Sequence, residues 1–179
     1  MPEYAAWALG VDQPGIVAAV TGALYEQGCN LEDTSMTILS GHFAIMLMVR
    51  APDDVSAEGL EAALRRAGEP LSLTVAVRPV EAGGQGEADG DDRHIVAVYG
   101  ADRPGIVHRV STLLAERGVN ITDLTTRVIG PAADPVYAMH LEVVLPGEID
   151  ADTLAGELAA VGEELGVDTS IHPVDLDVL

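Results

Sequence analysis

The stretch GVDQPGIVAAVTGALYEQGCNLED at residues 10–33 recurs as GADRPGIVHRVSTLLAERGVNITD at residues 100–123. The two copies keep Gly, Asp, Pro-Gly-Ile-Val, Asn and Asp in register, which identifies the chain as an internal duplication. What repeats is mainly a loop that runs into a helix, a place where free backbone N–H groups meet small anions. The duplication therefore favours a pair of ligand sites over a catalytic centre.

Length and composition favour two small domains. The chain has 179 residues, of which 48% are apolar, and this is enough for a hydrophobic core in each half. Between the copies, residues 81–92 (EAGGQGEADGDD) contain four glycines and five carboxylates, a composition typical of a flexible linker. We therefore predict a first domain over residues 1–80, an acidic Gly-rich linker over 81–92 and a second domain over 93–179.

The charge of the chain argues against nucleic acids and membranes as partners. Nine basic residues, all of them arginine, stand against twenty-nine acidic ones, which leaves a formal net charge of −20. DNA-binding proteins commonly neutralise ~6–10 phosphates with clustered Lys and Arg, and anionic membrane surfaces attract basic segments. The sequence therefore predicts no direct contact with nucleic acid and no membrane partner.

The cysteine content and the N-terminal segment favour a cytoplasmic location. A single cysteine, Cys29, allows no internal disulfide and no cysteine-rich zinc site, and it suits a reducing compartment. The N-terminal MPEYAAWALGV lacks a basic region, and no apolar run approaches the ~20 residues of a membrane-spanning helix. We expect a cytoplasmic protein that is neither secreted nor inserted in a membrane.

Hydrophobic periodicity predicts the order βαββαβ in each copy. In the first copy, strands are predicted at 4–10, 31–39, 43–50 and 71–77, with helices from Pro14 to Gly28 and from Ser56 to Gly68. In the second copy, strands are predicted at 94–100, 121–129, 136–145 and 167–172, with helices from Pro104 and from about Asp150. This order forms a ferredoxin-like fold, an antiparallel four-stranded sheet with both helices on one face, so the predicted class is α+β.

The third strands of the two copies differ on the sheet face that the helices leave open. In VYAMHLEVV (136–144), one face is apolar and the other carries Ala138, His140 and Glu142, which is typical of a half-exposed strand. In FAIMLMV (43–49), both faces are apolar. We therefore expect the open face of the first copy, with Met46 and Met48, to pack against another domain or subunit.

The repeated motifs resemble a known family. The D-x-P-G-I-V start, the G-x-N-[LI]-x-D segment after the first helix and the βαββαβ order resemble the ACT domain, a small regulatory module that binds amino acids. The resemblance covers nearly the whole chain apart from the linker. Two such domains without an attached enzyme resemble most the glycine cleavage system transcriptional repressor family, whose members are thought to sense an amino acid without touching DNA. N-terminal ACT domains of formyltetrahydrofolate deformylases and of some phosphoserine phosphatases resemble these segments too.

The loop before each first helix predicts a ligand site. Free N–H groups at the helix start, beside Gly15, can hold a ligand carboxylate through backbone donors and the helix dipole. An ammonium group needs acceptors, which Asp12 or Asn30 can supply. The resemblance implies that the ligand lies between two ACT units, bounded by the first loop of one and the asparagine-bearing segment of the other. The predicted ligand-binding residues are Asp12, Pro14, Gly15, Ile16, Asn30 and Leu31 in the first copy and Asp102, Pro104, Gly105, Ile106, Asn120 and Ile121 in the second.

These residues also have a structural interpretation. Proline after aspartate is ordinary at a helix N-terminus. Gly28 and Gly118 are ordinary helix C-caps, and the asparagines that follow can stabilise a turn. Both copies keep the Asp, the Gly and the Asn, whereas the helix surface changes from Ala18-Ala19 in the first copy to His108-Arg109 in the second. This difference favours the binding interpretation. That charged pair either recruits a more acidic ligand or forms a solvated helix surface.

No catalytic motif is recognisable. The sequence has no G-x-S-x-G, P-loop, H-E-x-x-H or G-x-G-x-x-G pattern, and its five histidines lack a short metal-ligand spacing. We predict a non-enzyme, without catalytic residues, metal or cofactor, that senses an amino acid such as glycine or serine. It would act as a homodimer through a regulatory protein partner, on transcription of glycine cleavage or other amino-acid metabolism. The alternatives are a ligand-free dimerisation scaffold and a small enzyme of unrecognised type.

Overall fold

The computed structural model describes residues 1–80, 92–131 and 135–174. The chain divides into two compact units, Met1–Gln85 and Gly86–Leu179. The predicted linker, residues 81–92, lies outside the described residues except for Asp92. The domain limits at residues 80 and 93 therefore stay a prediction.

The first unit has the predicted βαββαβ order. Its strands form one sheet in the order β2-β3-β1-β4, and every neighbouring pair is antiparallel. A short 3-10 turn at Glu69–Leu71 follows the second helix. The elements are β1 (Glu3–Val11), α1 (Ile16–Glu26), β2 (Asn30–Leu39), β3 (His42–Arg50), α2 (Ala57–Gly68) and β4 (Thr74–Pro79).

The second unit repeats this topology. Its antiparallel sheet has the order β6-β7-β5-β8. The ferredoxin-like α+β class is thereby confirmed for both halves of the chain. The elements are β5 (Arg93–Ala101), α3 (Ile106–Glu116), β6 (Asn120–Ile129), β7 (Val136–Val144), α4 (Ala151–Leu165) and β8 (Val167–Pro173).

The helix starts follow two kinds of local chemistry. The Ser56 side chain accepts a hydrogen bond from the Gly59 N–H, and the Asp150 side chain accepts one from the Thr153 N–H, so α2 and α4 begin with the expected N-caps. The starts predicted at Pro14 and Pro104 are wrong by two residues. A glycine with left-handed backbone follows each proline and cannot join a right-handed helix, so α1 and α3 begin one residue after that glycine.

The last strand of the first unit begins later than predicted. Residues 71–77 were expected to be extended, but the 3-10 turn includes Leu71, and Ser72 has a φ of 54°. A left-handed residue interrupts a strand, and β4 therefore begins at Thr74.

One face of each sheet packs on its two helices. The buried residues of β3 occupy the same register positions as those of β7. This confirms the predicted apolar face of the strand at 136–144, while on its other face His140 is exposed, Glu142 is half-buried and Ala138 is buried. The two sets are Phe43, Ile45, Leu47 and Val49 in β3 and Tyr137, Met139, Leu141 and Val143 in β7.

No helix of the first unit packs on the open face of its sheet. Met46 is 56% exposed and Leu9 is 51% exposed, whereas Met48 is half-buried. The expectation that this face packs against another domain or subunit stays a prediction. Two-faced apolarity predicts that a strand avoids water, but it does not say which molecule covers it.

Two glycines inside helices should respond in opposite directions to alanine. At Gly22 in α1, an added Cβ would meet nothing within 4 Å, so Gly22→Ala should stabilise the protein by about 0.5–1 kcal/mol through helix propensity. At Gly162 in α4, the added Cβ would lie 2.7 Å from the Val167 carbonyl oxygen, so Gly162→Ala should destabilise it by about 1–3 kcal/mol. Urea denaturation of both variants measures this, and shifts of the same sign would contradict the close approach at Gly162.

Candidate functional site

The chain turns sharply at the glycine before each first helix. Gly15 has φ 98° and ψ −11°, and Gly105 has φ 98° and ψ −6°. A left-handed backbone costs an L-residue about 1–2 kcal/mol, so the retained glycines have a conformational reason. Within the described ranges, no side chain caps either helix at this end. The N–H groups of the first turn therefore remain available to a ligand.

Both turns are open to solvent. Asp12, Pro14 and Gly15 are exposed, and so are the equivalent residues Asp102, Pro104 and Gly105. A Cβ added at Gly15 or Gly105 would meet nothing within 4 Å in the part of the chain that the structure describes. No neighbouring side chain there fills the turns, and a small anion can approach the N–H groups.

The isoleucines that begin these helices serve the core. Ile16 and Ile106 are each 1% exposed and belong to the hydrophobic clusters of their units. Of the predicted ligand-binding residues, these two can offer a ligand only their backbone N–H groups. Their side chains instead fix where the helix start lies.

Asn30 and Asn120 lie at the opposite ends of the first helices. Each is exposed and begins the second strand of its unit. Helix α1 has 11 residues, which separates Asn30 from Gly15 of the same unit by about 16 Å at ~1.5 Å per residue. The structure therefore does not bring the loop and the asparagine of one unit together. A site made of both needs the asparagine of another ACT-like unit, as the family resemblance implies.

A bulge that the sequence did not predict follows each asparagine. The register of β2 on β3 shifts between Leu31 and Asp33, and that of β6 on β7 shifts between Ile121 and Asp123. Bulges redirect side chains and are frequent beside functional sites. The only signal in the sequence is the aspartate retained three positions after each asparagine.

The residue inside each bulge contacts the neighbouring strand. The Glu32 carboxylate lies 2.9 Å from the Arg50 guanidinium. The Thr122 hydroxyl donates a hydrogen bond of 3.2 Å to the Glu142 carbonyl oxygen. The two units thus keep the same bulge with different side chains in it. This suggests that the backbone shape, rather than a particular side chain, is what the duplication retains.

The strands that carry the asparagines are exposed sheet edges. All ten residues of β2 are exposed, and all of β6 except Ile121 are exposed. Apolar side chains stand on both, with Met36 48% and Val128 57% exposed. Among the described strands, neither has a partner on its outer side. A long edge strand with apolar side chains is a template for pairing with another chain.

One side chain joins each loop to the segment just before the last strand of its unit. The Gln13 amide donates a hydrogen bond of 3.0 Å to the Leu71 carbonyl oxygen. At the equivalent position, the Arg103 guanidinium donates one of 3.1 Å to the Leu165 carbonyl oxygen. The duplication therefore conserves this contact although the residue type differs.

Two arginines of the second copy, Arg109 and Arg117, contact α4 of their own unit. Arg109 forms an ion pair with Glu164, and Arg117 forms a two-bond pair with Glu157. This favours a structural interpretation of the charged helix surface over recruitment of an acidic ligand. The hydrogen bond from Arg117 also lowers the pKa of the Glu157 carboxyl group and raises the pKa of the guanidinium.

The remaining chemistry of the described residues is sparse. Burial raises the pKa of the Cys29 thiol, so this group stays protonated near neutral pH and is a weak nucleophile. Residues 1–80, 92–131 and 135–174 contain no group of three or more His, Cys, Asp or Glu side chains placed to hold a metal ion.

Of the helices in the same three ranges, none combines the length and the apolar character that crossing a membrane requires.

Among the described residues, three of the cavities lie away from the loops. One of about 540 Å³ is on the open face of the first sheet, beside Trp7 and Met46. The other two occupy equivalent places at the end of the second helix of each unit, with about 580 Å³ beside Arg65 and about 420 Å³ beside Glu163. The sequence predicted none of them, because a cavity depends on how side chains of different elements meet.

Comparison with known proteins agrees with the topology. A glycine cleavage system transcriptional repressor of Escherichia coli is 27% identical over 94% of this chain and 88% of its own length. A UPF0237 protein of Methanopyrus kandleri is 41% identical over 47% of this chain and 90% of its own length. The crystal structure of an unknown protein from Galdieria sulphuraria has a TM-score of 0.80 and 26% identity, and the match covers 97% of this chain and 99% of that one.

Each half of the chain also matches a model of the ACT domain, the first over residues 7–78 and the second over residues 94–163. The two matches together span well over half of the sequence. The first match spans the first unit from within β1 to within β4, and the second match runs from β5 to within α4. The chain therefore belongs to the ACT-domain family, as a protein with two ACT domains in tandem.

Proposed function

We propose that this protein senses an amino acid through its ACT domains and regulates other proteins without catalysing a reaction. One observation carries the proposal: both units present an open, glycine-turned helix start with uncapped N–H groups. A duplicated catalytic centre would need reactive side chains at matching positions, whereas what repeats here is backbone geometry with Asp and Asn beside it.

The two charged groups of an amino acid suit the two parts of this site. The first-turn N–H groups and the helix dipole favour the carboxylate. Asp12 or Asp102, each exposed on the same loop, offers acceptors to the ammonium group. Within one unit, the first helix separates the asparagine from the loop. Asn30 or Asn120 of a neighbouring ACT unit therefore completes the enclosure of the ligand.

A homodimer is the assembly that we propose for this enclosure. The asparagines stand on the exposed edge strands β2 and β6. Among the described strands, none pairs with the outer side of either, so each edge can pair with another chain. Edge-to-edge pairing satisfies backbone groups and buries apolar side chains such as Met36 and Val128. Binding at such a contact links the ligand to the assembly state, which is a simple way to report its concentration.

The regulated process is proposed from the Escherichia coli relative, which is named a glycine cleavage system transcriptional repressor. We infer that this chain acts on transcription of glycine cleavage or other amino-acid metabolism through a protein partner in the cytoplasm. The net charge of −20 supports an indirect action, because phosphate backbones repel a protein of this charge.

A thermal-shift panel of the common amino acids, with glycine and serine first, tests the sensing function. A ligand present at about 100 times its Kd should add about 2.7 kcal/mol to the free energy of unfolding. Glycinamide and acetate are the matched controls, since each lacks one of the two charged groups. We expect one or a few amino acids to raise the Tm and both controls to fail.

The panel also separates the alternatives. The exposed apolar edges of β2 and β6 favour dimerisation with or without a ligand, so a dimer that no amino acid stabilises would indicate a scaffold. Consumption of an amino acid by the purified protein, followed by NMR, would indicate an enzyme instead. Either result would end the sensor proposal.

A further inference from the structure

The two sheets differ at the edge that the last strand of each unit forms. β4 and β8 are the outer strands on this side, and among the described strands none pairs with either of them on its outer side. In the first unit, the backbone N–H of Val77 in β4 donates a hydrogen bond of 3.2 Å to the Glu61 carboxylate of α2. The same carboxylate forms an ion pair with Arg65. A helix of the first unit thus closes the edge of its own sheet.

The second unit lacks this closure. The two helices can be aligned on their pairs of buried leucines, which are Leu60 and Leu64 in α2 and Leu154 and Leu158 in α4. On this alignment, Ala155 and Ala159 stand where the first unit has Glu61 and Arg65. In β8, Ile171 occupies the register position of Val77. The methyl group of Ala155 cannot accept a hydrogen bond, so α4 does not cap the N–H of Ile171 from this position.

The outer edge of β8 presents backbone groups to an incoming strand. The Val174 N–H donates a hydrogen bond to the Arg93 carbonyl oxygen. Backbone groups alternate in direction along an antiparallel ladder, so His172 also directs its N–H towards β5. Thr169 and Ile171 therefore direct their N–H and C=O groups outward. An extended segment can add to such an edge through main-chain hydrogen bonds, which is the mode of recognition known as β-augmentation.

A cavity lies along the same edge. It has a volume of about 420 Å³ and lies between the end of α4 and the first half of β8. Ala159 and Gly162 line it from the helix, and these small residues leave room for a side chain of an added strand. Glu163 and Asp168 line it as well, and both are exposed. We name this cavity, together with the outer edge of β8, the α4–β8 groove.

The carboxylates of the groove lack the partners that other carboxylates of α4 have. Those of Glu157 and Glu164 form ion pairs with arginines of their own unit. Within the described ranges, neither Glu163 nor Asp168 forms an ion pair with an arginine of the chain. The Arg103 guanidinium lies beside the end of α4, where it donates a hydrogen bond to a backbone carbonyl oxygen. The two carboxylates are therefore available to a cation from outside the chain.

We propose that the α4–β8 groove binds an extended segment of a partner protein, which adds to the edge of β8 and places a lysine or arginine side chain between Glu163 and Asp168. Hydrogen bonds to the backbone of Thr169 and Ile171 hold the segment. The two carboxylates select its basic side chain, and the net charge of −20 attracts a basic segment before contact.

Charge also decides against a second copy of this chain as the occupant. Two copies that paired through β8 around a two-fold axis would bring both pairs of Glu163 and Asp168 to one edge. Like charges at a contact disfavour it. The first unit offers no equivalent groove, because Glu61 and Arg65 occupy the matching part of α2.

NMR spectroscopy of the isotope-labelled full chain, without any amino acid, tests the groove. The probe is the peptide acetyl-Thr-Val-Thr-Arg-Thr-Val-Thr-amide, whose β-branched residues favour an extended conformation. We expect the amide signals of Thr169 and Ile171 to move as the peptide is added to about 1 mM. The amide signal of Val77 should stay in place, because Glu61 holds this group. The same peptide with glutamate in place of arginine should bind at least about tenfold more weakly.

A double substitution transfers the closure of the first unit to the second. Ala155→Glu combined with Ala159→Arg should lower the affinity for the peptide at least about tenfold. Gly156→Glu combined with Ala160→Arg places the same pair one residue further along α4 and is the matched control, which should bind as the wild type does. A Cβ at Gly156 would meet nothing within 4 Å. Unmoved signals of β8 in the wild type would overturn the proposal, and so would equal affinities of the two double variants.

Far-UV circular dichroism checks that the variants are folded. If the Ala155 and Ala159 variant does not fold, a peptide methylated on alternate backbone nitrogens replaces it, because this peptide cannot form the main-chain hydrogen bonds. Unchanged binding of the methylated peptide would overturn the proposal. Movement of the β8 signals with protein concentration alone would do so too, since a second copy would then occupy the edge.

This attachment site rests on the proposed action through a protein partner and not on the sensing of an amino acid. The peptide titration and the thermal-shift panel therefore fail independently. A panel without any stabilising amino acid leaves the expected movement of the Thr169 and Ile171 signals unchanged.

Discussion

Leu47→Ala and Leu141→Ala should each lower the free energy of unfolding of their own ACT domain by about 2.7–5 kcal/mol. The two leucines are 1% and 0% exposed, respectively. They occupy matching positions on the third strands, Leu47 opposite Ala6 and Leu141 opposite Val96. Truncation at either position removes apolar contacts and leaves a cavity that the surrounding sheet and helices refill only in part.

Urea denaturation followed by two probes measures these losses separately. Trp7 fluorescence reports on the first domain, whereas far-UV circular dichroism reports on both. Leu47→Ala should shift the Trp7 transition, and Leu141→Ala should leave it in place while shifting part of the dichroism signal. Val17→Ala, at a side chain that is 43% exposed, is the control and should cost about 0.5 kcal/mol or less.

This experiment also tests the division of the chain into two domains. We predicted folding units over residues 1–80 and 93–179. If both variants shift both probes by the same amount, the halves unfold as one cooperative unit and the predicted division is contradicted. Separate transitions would support it.

Asn30→Ala and Asn120→Ala should weaken binding of the amino acid that gives the largest thermal shift by about 1.5–3 kcal/mol, which corresponds to roughly ten- to a hundredfold in Kd. Each substitution removes a hydrogen bond to a charged group of the ligand. The asparagine side chains are exposed in the single chain, so the free energy of unfolding without ligand should change little. Isothermal titration calorimetry measures the affinity.

Asn30→Asp and Asn120→Asp identify the group that each asparagine contacts. An aspartate should keep or improve the affinity if the asparagine accepts a hydrogen bond from the ammonium group, and it should abolish binding if the asparagine donates to the carboxylate. Thr126→Ala, at an exposed polar residue of β6, is the matched control. Unchanged affinity in both alanine variants would remove the asparagines from the site.

The sequence predicted the order and type of every major element because periodicity and duplication agreed. An apolar stripe seen once is ambiguous, but the same stripe seen twice in register is not. The errors fell where a single backbone angle decides the outcome. Gly15 and Ser72 have positive φ values, and they moved a helix start and a strand start by two or three residues. Side-chain patterns do not encode such angles.

The candidate site was predictable in its parts and not in its arrangement. The loops and asparagines follow from the repeat, but the helix between them shows why one unit cannot hold a complete site. The bulges after Leu31 and Ile121 were missed because backbone register depends on the partner strand. The sequence left Arg109 open between a ligand contact and a solvated helix surface, and only the packing of α3 near α4 reveals its ion pair with Glu164.

The side chains of Gln13 and Arg103 join the loops before α1 and α3 to the 3-10 turn after α2 and to the last residue of α4. Both contacts lie just before the last strands β4 and β8, which form the sheet edges opposite to those that carry the asparagines. A loop that closes on a bound ligand would displace this hydrogen bond and the sheet edge next to it. Under the proposed sensing function, we therefore expect ligand binding at the loop to affect the sheet edge at β4 or β8.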